Sequence, residues 1–514
     1  MKAIKGLLIY MGIALEIIAG IAVVLFAIMF FFPNFRPFGI GIINKNDEIK
    51  GQGVSLFEYK DYENFELNIN SKDITIKVVP TVYEIKEDKE KKQEYIPPTF
   101  NYKLSYDVFG FTNELTEFNV VSDVAVVEDK VCMVVNVSQP KGLMSFENSC
   151  LYVYVPETIN YNLIVNTEKA DVILGAKDYK LTLNTMSIVT DSGDLYFNNM
   201  ADVNNSMSIN SLNISTKSGY MDFSSIETIN VYGLTTLEAT QGDFVFRNLI
   251  SGSIDAKGTG IKIQASSVKT NSAGFKFFSE SGIFLIKNLE CSVGAENTII
   301  TENCNFNISN IIGSTVIVST YGNIKIEQIT GDLSIESSEG DVELNFVDGN
   351  LDVVTQLGDI KVISYTKSAI FKSEKGIINV ANNSDYVHNQ TTQITSGDGN
   401  VTVSNKVNKL MVTTYGNSVV EISIKSVQNG LLDGANFEHT IILNDNSMGK
   451  IFLPSDKPFR FKAIGKISGS IGGFYMKADD NYQYYPIDST EVIDGSKTNC
   501  SFYFDGVIEF ATHA

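Results

Sequence analysis

From Gly322 to Gly376 a glycine falls on every ninth residue. The series runs Gly322, Gly331, Gly340, Gly349, Gly358 and Gly376, and Lys367 is its one break. Each glycine is followed by Asn or Asp (Ile after the last) and then by a short alternating segment such as GDVELNFVD or GDIKVISYT. Two residues before the glycine, polar and apolar residues alternate: Thr320, Ile329, Ser338, Val347, Gln356, Tyr365, Glu374. The unit is therefore eighteen residues long and contains two unlike strands. A fixed period of this kind marks a repeat architecture.

Within GDVEL, Val342 and Leu344 alternate with Asp341 and Glu343. That is strand periodicity, one face inward and one outward. The same reading places Ile324, Ile326, Leu333, Ile335, Leu351, Val353, Ile360 and Val362 inside. The Gly-Asp step suits a tight turn, since glycine tolerates positive φ and Asp bonds nearby backbone. Hairpins would give a meander; an eighteen-residue alternation favours coils in which like half-repeats stack. The expected fold is all-β, a parallel β-solenoid of about eighteen residues per coil, stabilised by its neighbours. A looser Ser/Thr-x-x-Gly motif recurs at 190–197, 216–223, 239–246, 279–286, 395–403 and 413–420. Roughly a dozen coils fit between 160 and 425. Drifting spacing suggests insertions at 200–211, 264–275, 287–312 and 381–394.

Residues 7–32 form an apolar run whose single charge is Glu16. Its length suffices to span a bilayer. Lys2 and Lys5 precede it, which predicts a cytoplasmic N-terminus and an uncleaved signal anchor, with the bulk of the chain extracytoplasmic. Gly12, Glu16 and Gly20 recur at i, i+4 and i+8 and share one helix face. Small residues there permit close helix approach, so the face is a candidate for self-association or for a membrane partner. The alternative is a tolerated, protonated glutamate.

The chain carries a formal net charge of -20, which argues against nucleic-acid binding. Abundant Asn, Ile, Lys and Tyr, with no Trp, fit a chain from an AT-rich bacterial genome. The parts expected are a cytoplasmic tip and membrane helix (1–32), a linker (33–53), a β cap built as an antiparallel meander (54–165), the solenoid (166–425), and terminal coils with a C-terminal cap (426–514). Caps are needed because an open solenoid end exposes an unpaired edge. In the last part, Tyr475, Tyr482, Tyr484 and Tyr485 either cover a core edge or stack on a glycan. Of five cysteines, Cys132 with Cys150 and Cys291 with Cys304 are candidate pairs if the chain is extracytoplasmic; buried thiols are the other reading.

No metal-ligand spacing joins His388, His439 and His513, and no nucleophile elbow, zincin motif or phosphate loop is present. No cofactor is expected. Asp194, Asp243, Asp332, Asp341 and Asp359 follow turn glycines and raise the question of Ca²⁺, although the calcium-binding nonapeptide is missing. Outward residues should stack as Lys325, Glu343, Lys361 on one sheet and Ser334, Asp352 on another, a ladder that cross-strand pairing alone favours. A carbohydrate-active enzyme would need Glu290, Glu296, Glu302 and Asp385 to converge on one face.

The repeated Ser/Thr-x-x-Gly-Asp-hydrophobic unit resembles the bacterial "putative adhesin" β-strand-repeat family, a domain of unknown function. YVYVPETINYNLIVNTEKADVIL (152–174) and IFLPSDKPFRFKAIGKISGSI (451–471) are similar to that family's entry into the first coil and its closing motif. The resemblance covers roughly 50–480 and implies a membrane helix joined to surface repeats. It also implies, through some relatives, a link to envelope-stress systems; it supplies no ligand residues. The expected role is a non-catalytic binding, adhesion or structural module at the cell surface, with a glycan or protein ligand. The alternatives are an accessory of an envelope-sensing system and a β-helix enzyme.

Overall fold

A computed structural model describes residues 2–31, 41–81, 99–112, 118–140, 143–176, 181–198, 205–382, 391–406, 409–424, 438–444, 446–453, 459–464, 477–478, 483–485, 499–504 and 507–512. The fold is mostly strand, a parallel β-solenoid of about 11 turns with ~22 residues per turn, and one helix, α1 (Lys2–Phe31). Two compact units are distinguished, residues 1–205 with 218–225, and residues 206–217 with 226–514.

The first unit contains β1 (Gly41–Lys50), β2 (Val54–Ser55), β3 (Asn64–Asn70), β4 (Thr75–Pro80), β5 (Thr99–Thr112) and β6 (Asn119–Val127). It continues with β7 (Lys130–Ser138), β8 (Leu143–Val155), β9 (Tyr161–Thr167), β10 (Val172–Leu174), β11 (Leu183–Thr190) and β12 (Leu195–Phe197). One row of parallel strands reads β7, β3, β9, β11, and a second reads β8, β4, β10, β12. The antiparallel meander expected over 54–165 is therefore present only at the edge, where β6 lies on β7, β5 on β8, and β1 and β2 on β5. The coil β3–β4 is intercalated: it precedes β7–β8 in the chain but stacks between that pair and β9–β10. Its corner, Ser71-Lys72-Asp73, has no glycine. A search keyed to glycine spacing passes over it, and its partners lie far away in sequence. The antiparallel strands cover what would otherwise be an open parallel edge.

The second unit opens with β13 (Ser206–Ile209) and part of β14 (Ser211–Asp222). Three long strands that bend round the coil follow: β15 (Thr228–Thr270), β16 (Phe275–Cys291) and β17 (Glu296–Ile312). Residues 264–275 and 287–312, expected as irregular insertions, are mostly paired strand. Ile261 lies opposite Gly282 and Phe277 opposite Ile299, so these coils are wider than eighteen residues. Extra residues per turn, rather than loops, caused the spacing to drift. The enlarged interior is filled by Phe275, Phe277, Phe284 and Phe306, with ring centroids 5.2–6.2 Å apart.

Narrow coils come next: β18 (Ser314–Ser319), β19 (Ile324–Thr330), β20 (Leu333–Ser337), β21 (Val342–Asp348), β22 (Leu351–Thr355), β23 (Ile360–Tyr365), β24 (Ala369–Ser373) and β25 (Ile378–Ala381). Here the eighteen-residue register holds without a slip, Ile324 to Val342 to Ile360 to Ile378 on one sheet and Leu333 to Leu351 to Ala369 on the other. All ten residues assigned inward by alternation are buried. At about 25 cal/mol per Å² of apolar surface, their burial is the main stabilising term. It exists only when a coil has neighbours above and below. Further along, Lys477–Ala478 and Gln483–Tyr485 pair antiparallel, and Asn499–Phe504 and Val507–Thr512 add parallel strands to Glu438–Leu443 and Met448–Leu453.

Candidate functional site

The recurring polar residues are the first place to look for chemistry, and the coil corners engage them. In the Ser/Thr-x-x-Gly motif the hydroxyl turns inward and closes the corner. Ser337 Oγ donates to the Gly340 carbonyl at 2.9 Å, Thr355 Oγ1 to Gly358 at 2.7 Å and Ser396 Oγ to Gly399 at 2.7 Å. The glycine answers a different need. A Cβ on Gly340, Gly358 or Gly376 would collide with the carbonyl of the glycine one coil below, and one on Gly322 would collide with that of Cys304. On the opposite corner Gly349 faces the carbonyl of Gly331 in the same way. Within this series only Gly331, whose φ is 138°, has the positive φ expected of a turn glycine. Elsewhere in it the glycine is set by backbone approach between coils.

The aspartates after those glycines form a second ladder. The backbone N–H of Asp341 donates to Asn323 Oδ1 (3.0 Å), that of Asp359 to Asp341 Oδ1 (2.9 Å), and that of Ile377 to Asp359 Oδ1 (2.7 Å). Asp332 Oδ1 accepts from the N–H of Asn350 (2.8 Å). Asp194 Oδ1 accepts from the N–H of Tyr220 (2.8 Å) and its Oδ2 from the Tyr196 hydroxyl (2.8 Å), which pushes that phenol up to about 12. Asp243 is paired with Lys262 at 3.1 Å. The five aspartates raised for Ca²⁺ thus satisfy backbone donors or side chains of neighbouring coils. Among the described residues no group of three or more His, Cys, Asp or Glu is placed to hold a metal ion.

On the outer faces, Glu343 sits between Lys361 (2.8 Å) and Lys325 (3.6 Å), the order read from the repeat. The Lys361 hydrogen bond, helped by the Lys325 charge, holds its carboxyl below the usual range. On the other sheet Val316, Ser334, Asp352 and Ile370 stack in register. The short side chains leave an open groove of about 420 Å³ that also takes in Glu296 and Asp332. Asp352 Oδ1 is buried there without a partner, and burial raises its carboxyl.

The carboxylates proposed for catalysis are not assembled in this groove. Glu296 lines it, but Glu290 is held by Lys269 at 2.5 Å and lies opposite Ile312, while Glu302 belongs to the corner that receives the Tyr321 N–H. Asp385 lies outside the described residues. Asp332 is tied to backbone, Asp352 has an unpartnered oxygen, and no histidine or cysteine is among the described residues that line the groove.

Gly12, Glu16 and Gly20 are exposed on α1, and a Cβ on either glycine would meet nothing within 4 Å. Tyr475 and Tyr482 lie outside the described residues. Tyr484 and Tyr485 are placed only by register, opposite Arg460 and Phe459. Cys132, Cys150, Cys291 and Cys304 are free thiols, so neither candidate pair is bridged. Cys132 on β7 packs beside β3, and Cys150 on β8 beside β4, in separate rows. Burial pushes the Cys304 thiol up to about 12, which suppresses its reactivity.

A stack of parallel coils whose repeated polar groups bind the coils to one another defines a β-solenoid repeat protein. Residues 123–282 match the Toastrack DUF4097 family, a domain of unknown function, in agreement with the resemblance carried by the repeats. No curated protein is similar to the chain. Among solved structures, a "putative cell adhesion protein" from Clostridium sporogenes is similar at 8% identity over 92% of this chain and 100% of that one. Its TM-score is 0.18, too low to bear on fold or role.

Proposed function

We propose that the chain is a membrane-anchored, extracytoplasmic and non-catalytic β-solenoid whose outer sheet faces serve as a binding module. The observation that carries this reading is the corner chemistry. The Ser and Thr that recur with the repeat close their own corners and the Asp and Asn bond the next coil, so the repeat builds a surface rather than a reaction centre. Anchoring is supported by Met11–Met29, 19 residues of mean hydropathy 2.6, long and apolar enough to cross a membrane. Lys2 and Lys5 favour a cytoplasmic N-terminus. Deleting residues 1–32 should move the protein from the membrane pellet to the soluble fraction with a β-rich circular dichroism spectrum. In intact cells the full chain should be cleaved by external protease and should bind isolated envelope fragments. Cleavage only after lysis, or no envelope binding, refutes the reading.

The second reading, an envelope-sensing accessory acting through its membrane helix, is favoured by the open Gly12–Glu16–Gly20 face. Glu16→Leu should change the crosslinked oligomer in detergent; an unchanged pattern removes it.

A further inference from the structure

The surface that most resembles a ligand site lies in the first unit. Three parallel strands there, β7, β3 and β9, carry an outward asparagine at or near their ends. Asn166 Nδ2 donates to Asn70 Oδ1 at 2.9 Å, and Asn70 Nδ2 donates to Asn136 Oδ1 at 2.7 Å. The chain of amides runs one way, so one end must offer N–H and the other a carbonyl. Asn136 Nδ2 and Asn166 Oδ1 are those ends, and neither has a partner among the described residues. Exposed valines bracket the ladder, Val121 opposite Asn136 and Val189 opposite Asn166.

A groove of about 360 Å³ opens along it. One of its lining residues is Ser71, only 6% exposed, whose hydroxyl has no hydrogen-bond partner. The corner there is fixed, because the Ser71 N–H donates to the Asn166 carbonyl (3.0 Å) and the adjacent Lys72 carbonyl takes the N–H groups of Glu168 and Lys169. Among the described residues that line the groove, the only charges, Lys72 and Glu168, neutralise each other at 3.0 Å.

We propose that this groove binds a neutral saccharide, one or two pyranose units of a surface glycan. This inference rests on the binding-module reading above and names its ligand class and site. Strands stack about 4.8 Å apart, so the free donor and the free acceptor, on the two strands that flank β3, lie about 10 Å apart, a distance that one or two pyranose units span. An unpaired donor and an unpaired acceptor at the two ends of the ladder meet a ligand that carries both donors and acceptors. Val121 and Val137 supply apolar contact for C–H faces. The cancelled rim charge and the chain's net charge of -20 disfavour anionic polymers. A groove of this size falls in the range of small-molecule sites, about 300–1,000 Å³.

The test is saturation-transfer NMR on the full chain in detergent micelles, with chitotriose and maltotriose as probes and an extended neutral peptide as competitor. At least one saccharide should bind, and Asn136→Ala and Asn166→Ala should each weaken it by about tenfold. Both amides are exposed at the ends of the ladder, so the melting temperature of each variant should change little and loss of binding would not reflect unfolding. Saccharide binding that survives both substitutions overturns the groove. Peptide binding in place of saccharide, or no saccharide binding to the wild-type chain, overturns the ligand class. If the wild-type chain binds envelope fragments under those outcomes, the binding-module reading stands while this inference falls.

Discussion

The wide coils of β15–β17 and the narrow coils of β18–β25 belong to one unit and share one topology, yet they are held together differently. The wide coils fill their interior with stacked and edge-on phenylalanines along long strands that bend without a fixed corner. The narrow coils contain Ile, Leu and Val at the ten inward positions and place a glycine, a hydroxyl and an Asp or Asn at fixed corner positions. Coil length acts as a volume setting. A wide coil encloses room for aromatic rings and tolerates irregular corners. Successive backbones approach as closely in the wide coils, where Gly258, Gly274 and Gly282 face carbonyls of the neighbouring coil, but a narrow coil repeats that glycine at a fixed position and adds ladders of hydrogen bonds beside it.

If that contrast holds, the largest single losses should come from truncating the aromatic core of a wide coil. Phe284→Ala removes a fully buried ring in contact with Phe275, Phe277 and Phe306, and it should cost about 3–5 kcal/mol. Leu344→Ala in a narrow coil should cost less, about 2–4 kcal/mol, because less volume is vacated. Urea unfolding of both variants measures the difference; equal losses would show that coil width does not govern packing.

Next comes the corner. Gly358→Ala adds one methyl group against the Gly340 carbonyl, which belongs to backbone and cannot swing aside. The expected loss is about 3 kcal/mol, large for a single carbon. A loss under 1 kcal/mol would mean that the coils can separate locally, and the account of why glycine recurs would fail. The Asp ladder is a smaller term. Asp341→Ala removes the acceptor for the Asp359 N–H at an exposed corner, and it should cost about 1 kcal/mol. Asp341→Asn, which keeps the oxygen, should restore most of it.

The narrow coils were legible in sequence because everything that fixes them is local and periodic: alternation gave the inward faces, and spacing gave the register. The Lys325–Glu343–Lys361 ladder followed from the register alone. The wide coils were misread because extra residues in a bent strand look like insertions when the ruler is glycine. The intercalated β3–β4 coil was misread for a different reason. Asn70 meets Asn136 and Asn166 across 66 and 96 residues, a closeness that no local signal announces. The weak cue was present, since FELNIN, VCMVVNV and NLIVNT each carry an asparagine near the end of an alternating strand. Nothing in one segment says that the three lie side by side.

The smallest effect should come from the charge ladder, and its sign with pH is fixed. Glu343 has its carboxyl lowered in the fold, first by the Lys361 hydrogen bond and then by the Lys325 charge acting against slight burial. A lowered carboxyl contributes stability that is complete above its unfolded value and disappears as pH falls through the folded one. Glu343→Gln should therefore destabilise at pH 7 and become neutral in acid. The site is mostly solvated, so screening holds the loss to about 0.5 kcal/mol. It should shrink further in 1 M salt, where the Debye length is about 3 Å. Chemical denaturation of wild type and variant at low and high salt, at neutral and acidic pH, reads all of this. A loss that persists in acid or at high salt would mean that Glu343 contributes packing rather than charge, and the outer face of the narrow coils would then be more than a solvated ladder.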